Sequence, residues 1–197
     1  MNLLTDKLIG KRFSLSCRYP EGFAIFLEND ICDKLGYIIR GNLALIHYTK
    51  SGEERVLAKL YDEEIFGDFL INSKHPFYPG NLVCLCETEI AFLNKNDLDN
   101  LIKESETFRK YYLNQLSEKA LKLNFHNKVL LQSSLREKIS LFLDQRALET
   151  KSKKISISSK QSLANHLNVA RPSLSRELAL MKKAGLIDYN KREIIIK

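Results

Sequence analysis

The sequence predicts an α+β fold: a strand-rich first half, one long helix, and a small C-terminal module of helices and a hairpin. Three observations predict it. From Phe13 to Leu93, apolar and polar residues alternate in short runs punctuated by glycine. From Glu106 to Gln132 there is no Gly or Pro, and apolar residues recur at spacings of three and four. From Gln161 to Ile187 two short amphipathic segments flank a tight turn, and two apolar runs follow around Asn190-Lys-Arg.

In the first half, Gly36 to Tyr48 reads as strand, and Ser51-Gly52 separates Leu43–Tyr48 from Arg55–Leu60 as a hairpin turn would. Gly22, Gly36, Gly41, Gly52, Gly67 and Gly80 recur at the intervals expected of turns between short strands, which points to a small barrel or jelly roll. The pattern changes near Asn96. Asp97 is positioned to cap a short helix over Leu98–Glu104. Within the long helix that follows, Leu113, Leu116, Ala120, Leu123, Asn127 and Leu130 form a heptad seam with one polar member, Asn127. Such a seam pairs two copies of a helix; the alternative is a helix packed on its own domain. Leu135–Leu148 continues as an amphipathic helix, Glu149–Lys154 is a basic link, and Ile155-Ser-Ile-Ser reads as a short strand. The chain divides at 1–105, 106–132 and 133–197.

The C-terminal segment carries the sharpest signal. Ser159 caps a first helix over about Lys160–Leu167. Asn168 suits the turn because Asn tolerates a left-handed backbone. Pro172 suits the first position of a second helix, where its missing N–H is no loss, and it pushes Arg171 out of the helical region to the helix mouth. Leu174, Leu178 and Met181 form a buried stripe, so Ser173, Ser175 and Arg176 point elsewhere. The hairpin with basic Lys191 and Arg192 at its tip completes a winged helix-turn-helix. An Arg on the second helix is the side chain that reads guanine through paired bonds to O6 and N7. Ser159, Lys160, Ser173, Lys191 and Arg192 lie where DNA backbone contacts arise.

Charge agrees with this reading. Residues 133–197 hold 14 Lys+Arg against 6 Asp+Glu, a net +8, while residues 1–132 hold 17 against 18, a net −1. A basic module on a near-neutral body fits attraction to phosphate; a merely solvated basic surface is the bland alternative. No apolar run approaches a membrane span, and Met1 to Phe13 has no signal-peptide core or cleavage site, so a cytoplasmic chain with no membrane partner is expected. The four cysteines, Cys17, Cys32, Cys84 and Cys86, are expected to be reduced.

Here the sequence resembles the Crp/Fnr family of transcription regulators over nearly its whole length. VARPSLSREL is similar to that family's recognition-helix motif. YPEGFAIFLEND, GYIIRGNLALIH and EEIFGDF are similar to its cyclic-nucleotide-binding-type β-roll, a double-stranded β-helix. The resemblance implies a sensor-type β-roll over 1–105, a dimerisation helix over 106–132 and a winged helix-turn-helix over 133–197. It implies base contacts from Arg171, Ser175 and Arg176, a homodimer on double-stranded palindromic DNA, and RNA polymerase as a further partner. The family often has Glu where this chain has Pro172, so the half-site is expected to differ at one base for want of an acceptor for cytosine N4.

The effector site departs from the family's cyclic-AMP pattern. Gly67-Asp68 stands for Gly-Glu, and Pro79-Gly80 stands where an arginine pair belongs; no Arg or Lys occurs between Lys74 and Lys95. A buried cyclic phosphate without a guanidinium partner is poorly compensated, so no cyclic-AMP control is expected, and Gly67, Asp68, Pro79 and Gly80 remain a candidate effector pocket. Met1–Ser16 lacks the cysteine cluster of the iron–sulfur branch. No cofactor is predicted. A non-standard redox or metal site at Cys17, Cys32, Cys84 and Cys86, in a sensor acting mainly through protein contacts, is the alternative. His47, His75, His126 and His166 form no haem or cupin pattern, and no nucleophile–base arrangement or phosphate-cradling loop points to an enzyme.

Overall fold

The computed structural model describes Leu3, Leu4 and Asp6–Lys197; the reading of the leader rests partly on Met1, Asn2 and Thr5, which lie outside the described residues. Its contacts divide the chain into two compact units, Met1–Ser117 and Glu118–Lys197.

The first unit opens with a one-turn helix, α1 (Lys7–Gly10), that the sequence pattern did not signal. Asp6 makes it possible by accepting hydrogen bonds from Leu8 N (2.8 Å) and Ile9 N (3.1 Å). Strands β1 (Cys17–Tyr19), β2 (Ala24–Phe26), β3 (Lys34–Arg40), β4 (Leu43–Tyr48), β5 (Glu54–Leu60), β6 (Ile65–Phe66), β7 (Asn81–Cys84) and β8 (Thr88–Asn94) follow. They form two four-stranded antiparallel sheets, ordered β1-β8-β3-β6 and β2-β7-β4-β5. This is the expected roll of short strands, and the Ser51-Gly52 turn joins β4 to β5 with His47 opposite Arg55. The core between the sheets includes Leu35, Tyr37, Ile38, Leu43, Leu82, Ile90 and Leu93. Along β8, Thr88, Ile90, Ala91 and Leu93 are buried and Glu89 and Phe92 less so; adjacent Ile90 and Ala91 point to opposite faces, so both faces of this strand are covered at its middle.

Helix α2 (Lys95–Glu104) starts three residues before the expected point. Its cap is Asn94, whose side chain accepts from Asp97 N at 2.9 Å; Asp97, expected as the cap, lies inside the first turn. The reason is that Asn94, at the end of β8, is still extended (φ −71°, ψ 162°), and a cap must sit where the strand ends. Asp97 instead takes a bond from Arg12. Helix α3 (Glu106–Leu130) covers the long Gly- and Pro-free stretch and ends two residues short of Gln132. Buried Ser105 starts it, its hydroxyl accepting from Phe108 N at 3.2 Å. Phe108 and Tyr112 join the roll's core.

Helix α4 (Leu135–Thr150) opens with a capping box between Ser134 and Glu137. Then come β9 (Lys154–Ser156), α5 (Lys160–His166), α6 (Arg171–Lys183), β10 (Ile187–Tyr189) and β11 (Glu193–Ile196). The last three strands form one antiparallel sheet in the order β10-β11-β9. The second core gathers Ile139, Phe142 and Leu143 of α4, Leu163 and Ala164 of α5, Leu174, Leu178 and Met181 of α6, and Ile155, Ile187 and Ile194 of the sheet. Its members come from every element of the module, so each element supports the angle between α5 and α6. Among the described residues no helix is long and apolar enough to cross a membrane.

Candidate nucleic-acid interface

Helix α5 is set by Ser159, whose Oγ accepts from Ser162 N at 3.0 Å. The turn behind it passes through Asn168 at φ 51°, and Val169 N donates to Ala164 O at 3.0 Å. Ala170, extended at φ −66° and ψ 134°, leads into α6. One expectation is corrected here: Arg171 is the first residue of the helix, not a residue held outside it, and Pro172 is the second. Leu174 N donates to Ala170 O at 3.1 Å, so the first helical ring closes one residue earlier than the rule for a residue before proline suggests. Pro172 still loses nothing, because the N–H of a second helical position has no partner within the helix.

Leu174, Leu178 and Met181 are buried, at 0%, 0% and 1% exposure. At 3.6 residues per turn the opposite face carries Pro172, Arg176, Ala179 and Lys183, all exposed, with Ser173 and Leu180 beside them. Ser175 is half-buried on the flank and Arg171 is exposed at the N-terminus. Thus Arg171 and Arg176 project from the helix, whereas Ser175 is more enclosed.

The module's carboxylates select which cations stay free. Glu177 accepts from Arg136 Nε at 2.6 Å, Glu149 holds Arg146 at 3.0 Å, Glu193 holds Lys154 at 2.9 Å, and Asp188 pairs with Lys182. Asp188 is thereby held below the usual carboxylate range, first by its bond from Lys182. Among the described residues Arg171, Arg176, Lys191 and Arg192 enter no ion pair. Lys191 and Arg192 cap the turn between β10 and β11, which Asn190 Oδ1 closes by accepting from Arg192 N (2.8 Å) and Glu193 N (2.9 Å). Lys160 is differently placed: its ammonium lies 4.4 Å from the centre of the Tyr189 ring, with Lys182 at 5.5 Å from the same ring.

Sequence reasoning missed three contacts of this module. Two are the Arg136–Glu177 pair and the Tyr189 stack. The third joins His126 of α3 to His166 of α5, rings 4.8 Å apart, with Phe142 at 5.1 Å. Desolvation, then the charges of His126 and Arg146, push His166 down from 6.5 to about 4. None has a local signature, since Glu177, Tyr189 and His166 meet Arg136, Lys160 and His126 across 41, 29 and 40 residues.

On α3, Leu113, Ala120, Leu123 and Asn127 are exposed, Leu113 and Leu123 at 54% and 60%. Leu116 packs partly on the roll's core, and Leu130 is half-buried. The seam is therefore mostly open along its length.

In the roll, Gly67 takes φ 80°, and a Cβ there would meet Cys32 Sγ at 3.0 Å, Lys34 O at 3.0 Å and the Tyr78 hydroxyl at 3.4 Å. Gly80 is pressed against the backbone of β4: a Cβ would meet Ile46 O at 2.6 Å. Asp68 is buried, and its backbone carbonyl accepts from the Tyr112 hydroxyl at 3.2 Å. Pro79 follows Tyr78, whose ring stacks on Phe26 at 4.4 Å; Phe26, Phe66 and Phe92 meet edge to face at 6.2–6.5 Å. The four candidate pocket residues thus border an interior occupied by aromatic rings.

The cysteines are not brought together as one cluster. Cys32 is buried beside Gly67 and Tyr78, Cys84 is buried in β7, Cys17 is exposed in β1, and all four are free thiols. β7 ends at Cys84 and Cys86 lies in the bend beyond, so the two do not share a strand. Burial pushes the Cys32 and Cys84 thiols up, away from the reactive thiolate. Among the described residues no group of three His, Cys, Asp or Glu side chains is placed to hold a metal ion.

The cyclic nucleotide-binding domain family matches residues 16–105, and the Crp-like helix-turn-helix domain family matches residues 135–197. No curated protein matches the sequence. Among solved structures, the chain is similar to a mutant of CooA from Carboxydothermus hydrogenoformans (TM-score 0.73, 19% identity, 100% of this chain and 92% of that one). It is also similar to CLP of Xanthomonas campestris, described as a c-di-GMP responsive global regulator (TM-score 0.66, 20% identity, 96% of each chain). A third is FixK2 from Bradyrhizobium japonicum (TM-score 0.62, 12% identity, 94% and 92%). At these identities the likeness establishes a shared fold.

Proposed function

We propose that this chain, which belongs to the Crp/Fnr family of transcription regulators, binds a palindromic DNA site as a homodimer without control by cyclic AMP. The observation that carries the DNA reading is α6 itself: an apolar stripe locked into the module's core, with Arg176 on the outward face and Arg171 exposed at the N-terminus, neither in an ion pair among the described residues. Arg171 and Arg176 are the base readers, with Ser175 as a flanking contact. Ser159, Lys160, Ser173, Lys191 and Arg192 contact backbone phosphate, with Lys160 leaving or extending from the Tyr189 ring to do so.

The exposed seam of Leu113, Ala120, Leu123 and Asn127, continued by Leu116 and Leu130, supports pairing of α3 with the same helix of a second copy. Exposed leucines in a heptad row are what such a partner covers, and Asn127 sets its register. Two reading heads related by a two-fold axis then require inverted half-sites about one helical turn apart. Such a dimer acts in the cytoplasm, with RNA polymerase as its further partner.

The absence of Arg and Lys between Lys74 and Lys95, together with the rings of Phe26, Phe66, Phe92 and Tyr78 beside Gly67 and Pro79, supports a roll that does not take a cyclic phosphate. Gly67, Asp68, Pro79 and Gly80 remain the place where another effector would enter. Selection of binding sites from random duplex DNA tests the central claim; the expected result is an enriched inverted repeat, and no enrichment at low salt overturns it. Saturating cyclic AMP is expected to leave the melting temperature unchanged, and a clear upward shift overturns that part.

A further inference from the structure

The outward face of α6 is apolar on both sides of its central arginine. Pro172 lies four residues before Arg176 and Ala179 three residues after it, and all three are exposed opposite the buried stripe. At about 1.5 Å per residue, the seven-residue interval from Pro172 to Ala179 spans about 10 Å, roughly three steps of 3.4 Å along one DNA strand. The helix's one carboxylate, Glu177, is not available to a base. It is mostly buried (19% side-chain exposure) and already accepts from Arg136 Nε at 2.6 Å. A major groove facing this helix therefore meets a guanidinium flanked by hydrocarbon and finds no carboxylate to accept from the N4 donor of cytosine; the hydroxyl of exposed Ser173, to the side, is the one neutral acceptor near it.

We infer that α6 reads thymine C5-methyl groups through Pro172 and Ala179, on either side of the guanine read by Arg176. The half-site is thus guanine flanked by thymines within about three base steps. This rests on the DNA-binding reading above. The chemistry is one of exclusion as well as contact. A thymine methyl buries against the pyrrolidine ring or the alanine methyl. Cytosine at the same place has no methyl to bury, and its N4 donor, where thymine has O4, finds no carboxylate. The Arg136–Glu177 pair belongs to the same device. It anchors α6 to α4 and withdraws the one carboxylate that would accept from cytosine.

The experiment uses the full-length protein. Sites are first selected from random duplex DNA, and affinity for the selected site is then compared with versions carrying deoxyuridine for thymidine, one position at a time. Uracil keeps every hydrogen-bonding group of thymine and lacks only the methyl. Replacement at the two flanking positions is expected to lower affinity about fourfold each, the worth of one buried methyl-sized group. Pro172→Glu, which adds an exposed acceptor near the helix start, is expected to move the preferred base at the first flanking position from thymine to cytosine. An enriched inverted repeat whose affinity is indifferent to uracil at every thymine overturns the methyl assignment and leaves the DNA-binding reading standing. Loss of affinity by uracil replacement that persists unchanged in both Pro172→Glu and Ala179→Ser also overturns it, because the methyl is then read from elsewhere. No enriched sequence at all overturns both.

Discussion

The two units handle charge in opposite ways. In the roll, Arg12 holds Asp97 (3.0 Å) and Glu104 (2.9 Å), Arg18 holds Glu89 (3.2 Å), and Arg55 holds Glu53 (2.8 Å). Three of its arginines are thus matched by carboxylates close by, and aromatic rings meet in its interior. In the C-terminal module the acids are too few to do this. They tie Arg136, Arg146, Lys154 and Lys182 in place, and of the described residues Arg171, Arg176, Lys191 and Arg192 are among the cations in no ion pair. The difference teaches that a net charge says little until it is known which cations are committed. Ion pairs at the surface add little stability, but they decide which guanidinium is left for a polyanion.

The comparison is broken most directly by removing what holds the module together. Leu174→Ala, at a fully buried position in α6, is expected to cost about 2–5 kcal/mol. Hydrogen exchange should lose protection over α4–α6 and keep it in β3 and β8; equal loss in both regions means the two units are not separately stabilised. Next in size, Arg176→Ala is expected to erase roughly 1–3 kcal/mol of discrimination between the selected site and one changed at its guanine. Competition binding measures this, and an equal loss on both sequences assigns Arg176 to phosphate. Lys191→Ala tests the wing: affinity should fall similarly on all sequences, and the slope of log affinity against log salt should flatten by about 0.9 per lost phosphate contact. A substitution at Lys59, in β5 of the near-neutral roll, should leave that slope alone.

The smallest effect concerns acid. His166 is held near 4 in the folded module against 6.5 for an unhindered ring, so its neutral form is favoured by folding. The sign follows from proton counts: between these values the unfolded chain binds the proton and the folded one does not. Stability from this source is therefore complete above about pH 6.5 and lost as pH falls towards 4. Desolvation comes first, and the neighbouring His126 and Arg146 also oppose a positive charge on the ring. Thermal melts of His166→Gln should be flatter between pH 7 and 4 than those of the native chain; identical pH profiles would assign the effect elsewhere.

The parts of this molecule that could be read from sequence are those in which cause lies close to effect along the chain. Ser159, Asn168 and the Leu174–Leu178–Met181 stripe act over one helical turn, and the structure places each as local chemistry predicts. The cap of α2 was misplaced because Asn94 and Asp97 are both good caps, and only the end of β8 chooses between them. Arg171 was misplaced by one residue because closure of the ring to Ala170 O outweighs the steric preference before proline. Glu177 looks like an ordinary solvated helix residue until Arg136, 41 positions away, is folded against it. The occupied interior of the roll was equally out of reach: Phe26, Phe66, Tyr78 and Phe92 come from separate segments, and only their meeting shows that the space is filled.

Tyr189 offers a different kind of consequence. The chain has no tryptophan, and of its eight tyrosines only this one lies beyond Ser117. It sits in β10 with two ammonium groups over its ring, those of Lys160 and Lys182. Fluorotyrosine labelling would therefore give the whole C-terminal module a single resonance, at a spot where two lysines must either stay on the ring or leave it for phosphate. That one line would report, without any engineered probe, the moment the wing meets its target.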